Sequence, residues 1–554
     1  MNNFSRYARA AVGALILPVL LVACGGGGSS GSSTSSASPA NGTVEAAITD
    51  APSSNFDHVW VTVEGIWFHT SSSAEPQQAG WIKYSLPAPV TVDLTTLTNG
   101  ELDDVFPDIS LPAGDYQQIR LMLAPTEDGL TASAKSDGLF YNNEVDYTGS
   151  SSTVAAPLRI PSPRSGIKLV GNFQVAPGGA LDIAIDFDIG HQVVEYAIGQ
   201  GVEFMLKPVL TYFDLKNTGA IIGQIDPNSI QSSTNTSGGY NFIVKAEQLS
   251  ADGLYHTVVR ATTVDSDGNF ILYPIPVAAG TTKDYDIVLR GRNVDTYIVK
   301  GVPVTGGTTP TRGATPVQST PITMTLDSEY TANYTSAVSP TGAWTSFYQM
   351  IPGDTIPYQI RYRHLDPFTG VFLNPIPLST GPLYWGTYNN GQPVSFAPVT
   401  PEEGAATFDV VANSLFYTRT PDGTVAGTAN TLSSLSPVTL TIPPPAVSDS
   451  ITGTITENGN VSGMSLDTAY LVVVRGGFVV DTQPESSLLA GGNPSFKLSN
   501  LPGGSSSVTI PGAYYTLYVI AWNSTSVDDS TVVTRSTVVD LTQGSATGVT
   551  LTLQ

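Results

Sequence analysis

Apolar and polar residues alternate with a period of two along most of this chain. Val59, Val61 and Val63 alternate with Trp60, Thr62 and Glu64, and Ile119, Leu121 and Leu123 alternate with Arg120 and Met122. From Leu181 to Ile189 every odd position is apolar, and the even ones are Asp182, Ala184, Asp186 and Asp188. Such alternation predicts strands with one buried face and one wet face. Helical periodicity is almost absent. The 54 glycines and 40 prolines fit many turns and edge strands. The pattern predicts an all-β protein, built as several β-sandwich domains in series.

The N-terminus departs from this pattern. Arg6 and Arg9 precede an uncharged run from Ala10 to Ala23 that contains Pro18. A membrane-spanning helix needs about 20 apolar residues, so the run reads as a secretory signal instead. Leu21-Val22-Ala23-Cys24 resembles the bacterial lipobox. That resemblance implies cleavage before Cys24, acylation of Cys24 by palmitate-type chains, and membrane attachment through that lipid. An ordinary cleaved signal beside a stray cysteine is the plainer alternative. Residues 24–41 are Gly, Ser, Thr, Ala, Pro and Asn after the cysteine, a composition that cannot form a core and reads as a flexible tether. Gly25 stands where an inner-membrane retention signal has Asp. By the same resemblance, the expected location is the outer membrane of a Gram-negative cell, facing either the periplasm or the exterior.

Composition narrows the function. A chain of 554 residues is expected to hold two to four domains. It carries 23 Lys and Arg against 46 Asp and Glu, a net charge of −23. Loss of Arg6 and Arg9 with the signal would make it more acidic still. Binding to nucleic acid needs a basic surface that neutralises phosphates, so that class is excluded. Anionic headgroups would repel the chain too, which leaves the lipid as its membrane contact. Cys24 is the single cysteine, so no disulfide can form within the chain and the sandwiches must hold by packing.

Residues 42–215 contain, in order, Ile48-Thr-Asp-Ala-Pro52, Val59-Trp-Val-Thr-Val-Glu-Gly-Ile66, Leu111-Pro-Ala-Gly-Asp-Tyr-Gln-Gln-Ile-Arg-Leu121, Ile160-Pro-Ser-Pro-Arg-Ser-Gly-Ile-Lys-Leu169 and Phe204-Met-Leu-Lys-Pro-Val209. By these strings the segment resembles a bacterial family, domain of unknown function 4382. The resemblance implies a β-module of lipoproteins and brings no activity or site residue. Residues 216–327 resemble the carboxypeptidase regulatory-like module, a transthyretin-like sandwich, through Asp265-Ser-Asp-Gly-Asn-Phe-Ile-Leu272 followed by Pro274-Ile-Pro276. Residues 446–554 echo it in Ser495-Phe-Lys-Leu-Ser-Asn-Leu-Pro-Gly503. A faint repeat joins the parts. Gly219–Ile225 and Ser450–Ile455 are similar openings, and Pro321–Leu326, Pro437–Ile442 and Gly548–Leu553 are similar closing strands. Residues 328–445 read as a sandwich of unclear type, ending at the Pro443-Pro444-Pro445 linker.

Three groups are candidate sites. Asp186 and Asp188 share a strand face about 7 Å apart, with Asp182 on the same stripe. Paired carboxylates can hold a cation or act as acid and base. They can equally be a solvated face, or pair with Arg120, Lys168 or Lys207. Asp265, Asp267 and Asn269 around Gly268 resemble the opening of a calcium loop, but Pro276 stands where its bidentate Glu belongs, and a turn explains them as well. Trp385 and Tyr388, with Tyr384, precede Asn389-Asn390-Gly391 and could stack on a sugar ring at a loop tip; Trp344 and Tyr348 could do likewise. Burial in a sandwich core is the other fate of such aromatics. His58, His69, His191, His256 and His364 show no zinc spacing. There is no nucleophile elbow, phosphate loop or dinucleotide fingerprint.

These features point to a non-enzymatic, lipid-anchored envelope or surface protein without a cofactor, presenting β-sandwiches for structural roles or for binding a protein or glycan. Two alternatives stay open: a calcium-dependent adhesion module, and a hydrolase that acts on an envelope or extracellular polymer through Asp186 and Asp188.

Overall fold

The computed structural model describes residues 41–553 except 53–55, 75, 127–128, 149–152, 161–164, 199–200, 207–209, 234–241, 250–252, 254–255, 292–293, 326–328, 336–342, 350, 365–370, 378–382, 400–406, 415–416, 427–447, 458–467, 476–477, 486–493, 504–513, 523–531 and 534–536. Cys24, the tether, Lys207, Pro437–Ile442 and the triple proline therefore lie outside the described residues. Of the described residues 63% are strand and 6% helix, arranged in several separate sheets, so the all-β expectation holds.

The first unit packs two sheets. One has the order Thr211–Asp214, Ala180–Asp186, Asn41–Thr49, Asp103–Pro112. The other runs Val193–Ile198, Gly201–Leu206, Thr153–Arg159, Glu144–Thr148, His58–His69, Gly114–Leu123, Ile167–Val175, with Ile82–Asp93 also on His58–His69. Val44, Ile48, Val59, Val61, Phe68, Phe106, Leu121, Ile185 and Phe204 fill the space between them. The alternating positions read from the sequence are those that point inward here. Strand His58–His69 changes partner midway: Trp60 pairs with Glu144, whereas Val63 pairs with Leu123. The buried Asn143 side chain closes the resulting gap. It accepts from the Thr62 N–H at 2.9 Å and donates to the Ala124 carbonyl at 2.7 Å.

The second unit opens with Thr218–Gln224, which lies between Asn269–Pro276 (antiparallel) and Thr315–Pro316 (parallel). Facing it is a sheet of order His256–Thr263, Ile243–Leu249, Thr282–Arg290, Thr296–Thr305. The fourth unit repeats this plan. Ser448–Glu457 lies between Ser495–Pro502 (antiparallel) and Ala546–Leu553 (parallel). Its second sheet has Phe478–Pro484, Thr468–Arg475, Tyr514–Trp522 and Thr537–Asp540 in the corresponding places. The two opening strings thus take the same place in the two units, whereas of the closing strings Gly548–Leu553 lies in a strand and Pro321–Leu326 contributes a lone bridge from Ile322 to Ile225.

The division expected at 327/328 is redrawn by the sheets. Leu383–Thr387 adds in parallel to Thr296–Thr305, and Ala397–Pro398 follows it, so this later segment extends the second unit's sheet. The rest of the third unit forms a sheet of order Tyr358–His364, Ala343–Gln349, Thr407–Ser414, Tyr417–Ala426, plus the antiparallel pair Glu329–Thr335 and Val371–Pro377. The second and third units therefore interlock through the backbone, because a strand from beyond residue 380 completes a sheet begun at residue 243.

Candidate functional site at the junction of three units

The stripe Asp182, Asp186, Asp188 does not continue as one wet face. Asp182 is exposed, as expected, but strand Ala180–Asp186 ends at Asp186. Asp188 has φ +44°, in the left-handed region, and opens the short helix Ile189–Gln192. This turns Asp188 out of the alternation, so the expected shared face with Asp186 is corrected. Asp186 is only 8% exposed. Its cover is a strand of the second unit, His256–Thr263.

Arg260 carries that contact. Its Nη1 donates to Asp186 Oδ1 at 2.7 Å, and its Nη2 donates to Thr49 Oγ1 at 2.7 Å and to the Asp50 carbonyl at 2.8 Å. Its Nε donates to the Tyr273 carbonyl at 3.0 Å, which braces the guanidinium within its own unit. The expected partners do other work. Arg120 donates to the Ser165 carbonyl at 2.7 Å, and Lys168 lies opposite Arg120 in the sheet. The same interface includes the Asn99 N–H bonded to Thr262 Oγ1 at 2.8 Å and the Ile271 N–H bonded to Asn99 Oδ1 at 2.6 Å. No spacing rule links residues 74 apart, so the sequence carried no signal for Arg260.

The electrostatics follow from this geometry. Burial pushes the Asp186 carboxyl above its ordinary value, with Arg260 pulling the other way. Asp50, buried behind it, accepts the Ile189 N–H at 2.8 Å, and burial holds its carboxyl well above the ordinary range. For Asp188 burial acts upward too, but the charge and hydrogen bond of His191, aided by Arg260, bring its carboxyl below the ordinary range. His191 Nδ1 lies 2.8 Å from Asp188 Oδ1, and its ring sits 4.0 Å from that of Tyr362.

These side chains line a cavity of about 360 Å³ where three units meet. The first unit contributes Asp186, Asp188 and His191, the second Lys245, Arg260 and Arg290, and the third Gln359 and Tyr362. Both candidate carboxylates thus reach one hollow, as the sequence paired them, but by way of a turn and not of a shared strand face. Hydrolytic acid–base work needs one protonated and one ionised carboxyl, each presented to substrate. Here an oxygen of Asp186 takes Arg260 and an oxygen of Asp188 takes His191. Asp186–Arg260 is thus a tie between units, and Asp188–His191 a pair within the first.

The Asp265 turn is a tight turn that carries the chain from one sheet of the second unit to the other. Asp265 Oδ1 accepts the N–H groups of Asp267 and Asn269 at 2.9 and 2.8 Å, and Oδ2 accepts Asn269 Nδ2 at 3.1 Å. Both oxygens therefore face donors, an arrangement opposite to that around a cation. Among the described residues, no three His, Cys, Asp or Glu converge to hold a metal ion. Asp265→Ala should destabilise the second unit by about 1 kcal/mol, and calcium should leave the parent's melting curve unchanged. A calcium-dependent rise in melting temperature that Asp265→Ala abolishes would restore the cation reading.

The aromatic candidates pack inward. Leu383–Thr387 is a strand rather than a loop. Within it, Tyr384 stacks on Tyr297 at 4.9 Å, and Trp385 packs on the apolar seam with the third unit. Tyr388 packs on the second unit's core. The turn at Asn390 and Gly391 lies beyond them. Trp385 and Tyr388 are thus half-buried against these cores and do not stand together at a loop tip. Tyr348 is buried as well, while the side chains of Trp344 and His364 lie outside the described residues.

Residues 41–208 match the family described as Domain of unknown function (DUF4382), the span where the family strings occur. No curated protein matches the chain. Among solved structures, the Bacillus anthracis TIE protein is 9% identical, over 94% of this chain and 76% of that one, with a TM-score of 0.13. Two B repeat units of the collagen binding protein of Staphylococcus aureus are 8% identical, over 93% and 99%, also at 0.13. A leucine-rich repeat protein from Bacteroides thetaiotaomicron is 12% identical, over 51% and 27%, at 0.14. Scores this low lie far below those of a shared fold, and no functional reading rests on them.

Proposed function

We propose that this chain is a non-enzymatic, lipid-anchored protein of the bacterial outer membrane that holds interlocked β-sandwiches at a membrane for structural or binding roles. The observation that carries the reading is the use of Asp186 and Asp188. Asp186 is matched by Arg260 across a domain junction and Asp188 by His191 within the first unit, a use of the two acids that suits a scaffold better than a hydrolase. The string Leu21-Val22-Ala23-Cys24 supplies the anchor, and residues 24–41 the reach. The shared strand order of the second and fourth units supports assigning both to the carboxypeptidase regulatory-like, transthyretin-like type. The partner is a protein or a glycan, since the acidic balance disfavours nucleic acid.

The anchor is tested by Cys24→Ala in cells fed labelled palmitate. The parent should take up label and partition with membranes. The variant should take up none, and should be released or left unprocessed. Membrane retention of the unlabelled variant after signal cleavage would overturn the reading.

A further inference from the structure

The face of the second unit's sheet that meets the third unit is part apolar and part ionisable. Val288, Ile298, Ile351, Tyr358, Ile360, Leu383 and Val399 form the apolar part. Beside them, Lys245 and Glu247 project from one strand toward strand Tyr358–His364. Lys245 Nζ donates to the Gln359 and Ile360 carbonyls, both at 3.1 Å. Glu247 Oε2 accepts the Gln359 N–H at 3.0 Å. Two side chains of the second unit thus grip the backbone of the third.

Glu247 is fully buried, and its Oε1 meets no donor among the described residues. Asp286 lies opposite it in register. Unlike Glu247, Asp286 is richly served: it accepts from Tyr358 Oη at 2.9 Å and from the Gly301 N–H at 2.8 Å, and lies 3.4 Å from His256 Nε2. Asp354 accepts from Lys300 Nζ at 2.7 Å and from Tyr358 Oη at 3.2 Å. A bare oxygen on a buried carboxylate is costly, whereas a neutral carboxyl can occupy such a place.

We propose that Glu247 is a proton-operated latch, whose protonated side chain holds the third unit docked on the second and whose ionisation loosens it. The inference stands apart from the lipid anchor. It gives the array a response to the acidity of its surroundings. Burial most strongly raises the Glu247 carboxyl; Lys245 and the Gln359 N–H oppose this, and Asp286 adds to it, leaving it at about 8. Once undocked, the group returns to its ordinary value of 4.5. Between those values the docked state keeps a proton that the undocked state releases. Docking is therefore strongest below the lower value and weakens as pH rises through the upper one. The other charged or titratable groups facing the seam are Lys245, His256, Asp286, Lys300, Asp354 and Tyr358. Of these, His256 is the group whose ordinary value lies in the same range, and it contacts Asp286 rather than Glu247.

The test is hydrogen exchange of the full mature chain in detergent, followed in peptides spanning 351–364 and corrected for intrinsic exchange. A peptide from strand Tyr514–Trp522 serves as the internal reference. Protection at 351–364 should fall on the order of tenfold to a hundredfold from pH 5 to 8.5, while the reference holds. Glu247→Gln keeps the acceptor for Gln359 and cannot ionise, so its profile should be flat. His256→Phe should keep the slope. A sloping profile in Glu247→Gln, a flat one in the parent, or loss of the slope in His256→Phe would each overturn the latch.

Discussion

Arg260→Met should destabilise the docking of the first two units by about 3–5 kcal/mol. The guanidinium makes three hydrogen bonds into the first unit and one to its own. Methionine fills a similar volume but donates nothing. The change leaves Asp186 buried without its cation, next to the equally buried Asp50. It also strips a donor from Thr49 Oγ1 and from the Asp50 carbonyl. Removing one partner of a buried pair costs far more than removing both, because the survivor stays desolvated. Asp186→Leu together with Arg260→Met should therefore recover part of the loss. Calorimetry of the full chain would read this as an early transition in Arg260→Met that moves back in the double variant. If Arg260→Met melted as the parent does, the tie would be ornamental, and the junction would rest on Asn99 and its neighbours instead.

Asn143→Ala should cost the first unit about 2–6 kcal/mol, from two buried backbone groups left unpaired at about 1–3 kcal/mol each. The need arises from the ladder. Strand His58–His69 passes from the partner Glu144–Thr148 to the partner Gly114–Leu123, and at Thr62 neither supplies an acceptor. Asn143 Oδ1 does so at 2.9 Å, while its Nδ2 reaches the Ala124 carbonyl at 2.7 Å and Thr126 Oγ1 at 3.2 Å. Thr126 keeps its bond to the Leu158 carbonyl at 2.6 Å, so its hydroxyl is not orphaned. Asn143→Asp is the informative companion. It retains the acceptor for Thr62, loses the donor to Ala124, and adds a buried acid. Its stability should therefore fall as pH rises above the ordinary carboxyl range. Urea denaturation at pH 5 and pH 8 reads both effects, and an Asn143→Ala midpoint equal to the parent's would refute the account.

The strands were legible because alternation is a local property. Val59, Val61 and Val63 face a core whatever that core contains, and so do Ile183 and Ile185. The same local reasoning failed at the end of that strand. Asp186 and Asp188 satisfy the period of two, yet the left-handed backbone at Asp188 takes it off the ladder. Tyr384 and Trp385 resembled a loop tip because the Asn-Asn-Gly turn lies close behind. They became a strand because an open edge at Thr296–Thr305, almost 90 residues earlier, was there to receive them.

By itself the sequence determined the all-β class, the acidic balance, the absence of internal disulfides, the single lipobox-like cysteine and the doubled module plan. Each depends on composition or on neighbours along the chain. The tertiary structure alone decided what the carboxylates do. Asp186 is a buried tie because Arg260 arrives from another unit. Asp265 caps a turn because the tight passage between two sheets aims N–H groups at it. The Glu247 carboxyl is raised because a third unit covers it while Asp286 takes the nearby donors. The charge state and role of a carboxylate are set by the dielectric and donors within a few ångströms, and those come from parts of the chain that no local pattern brings together.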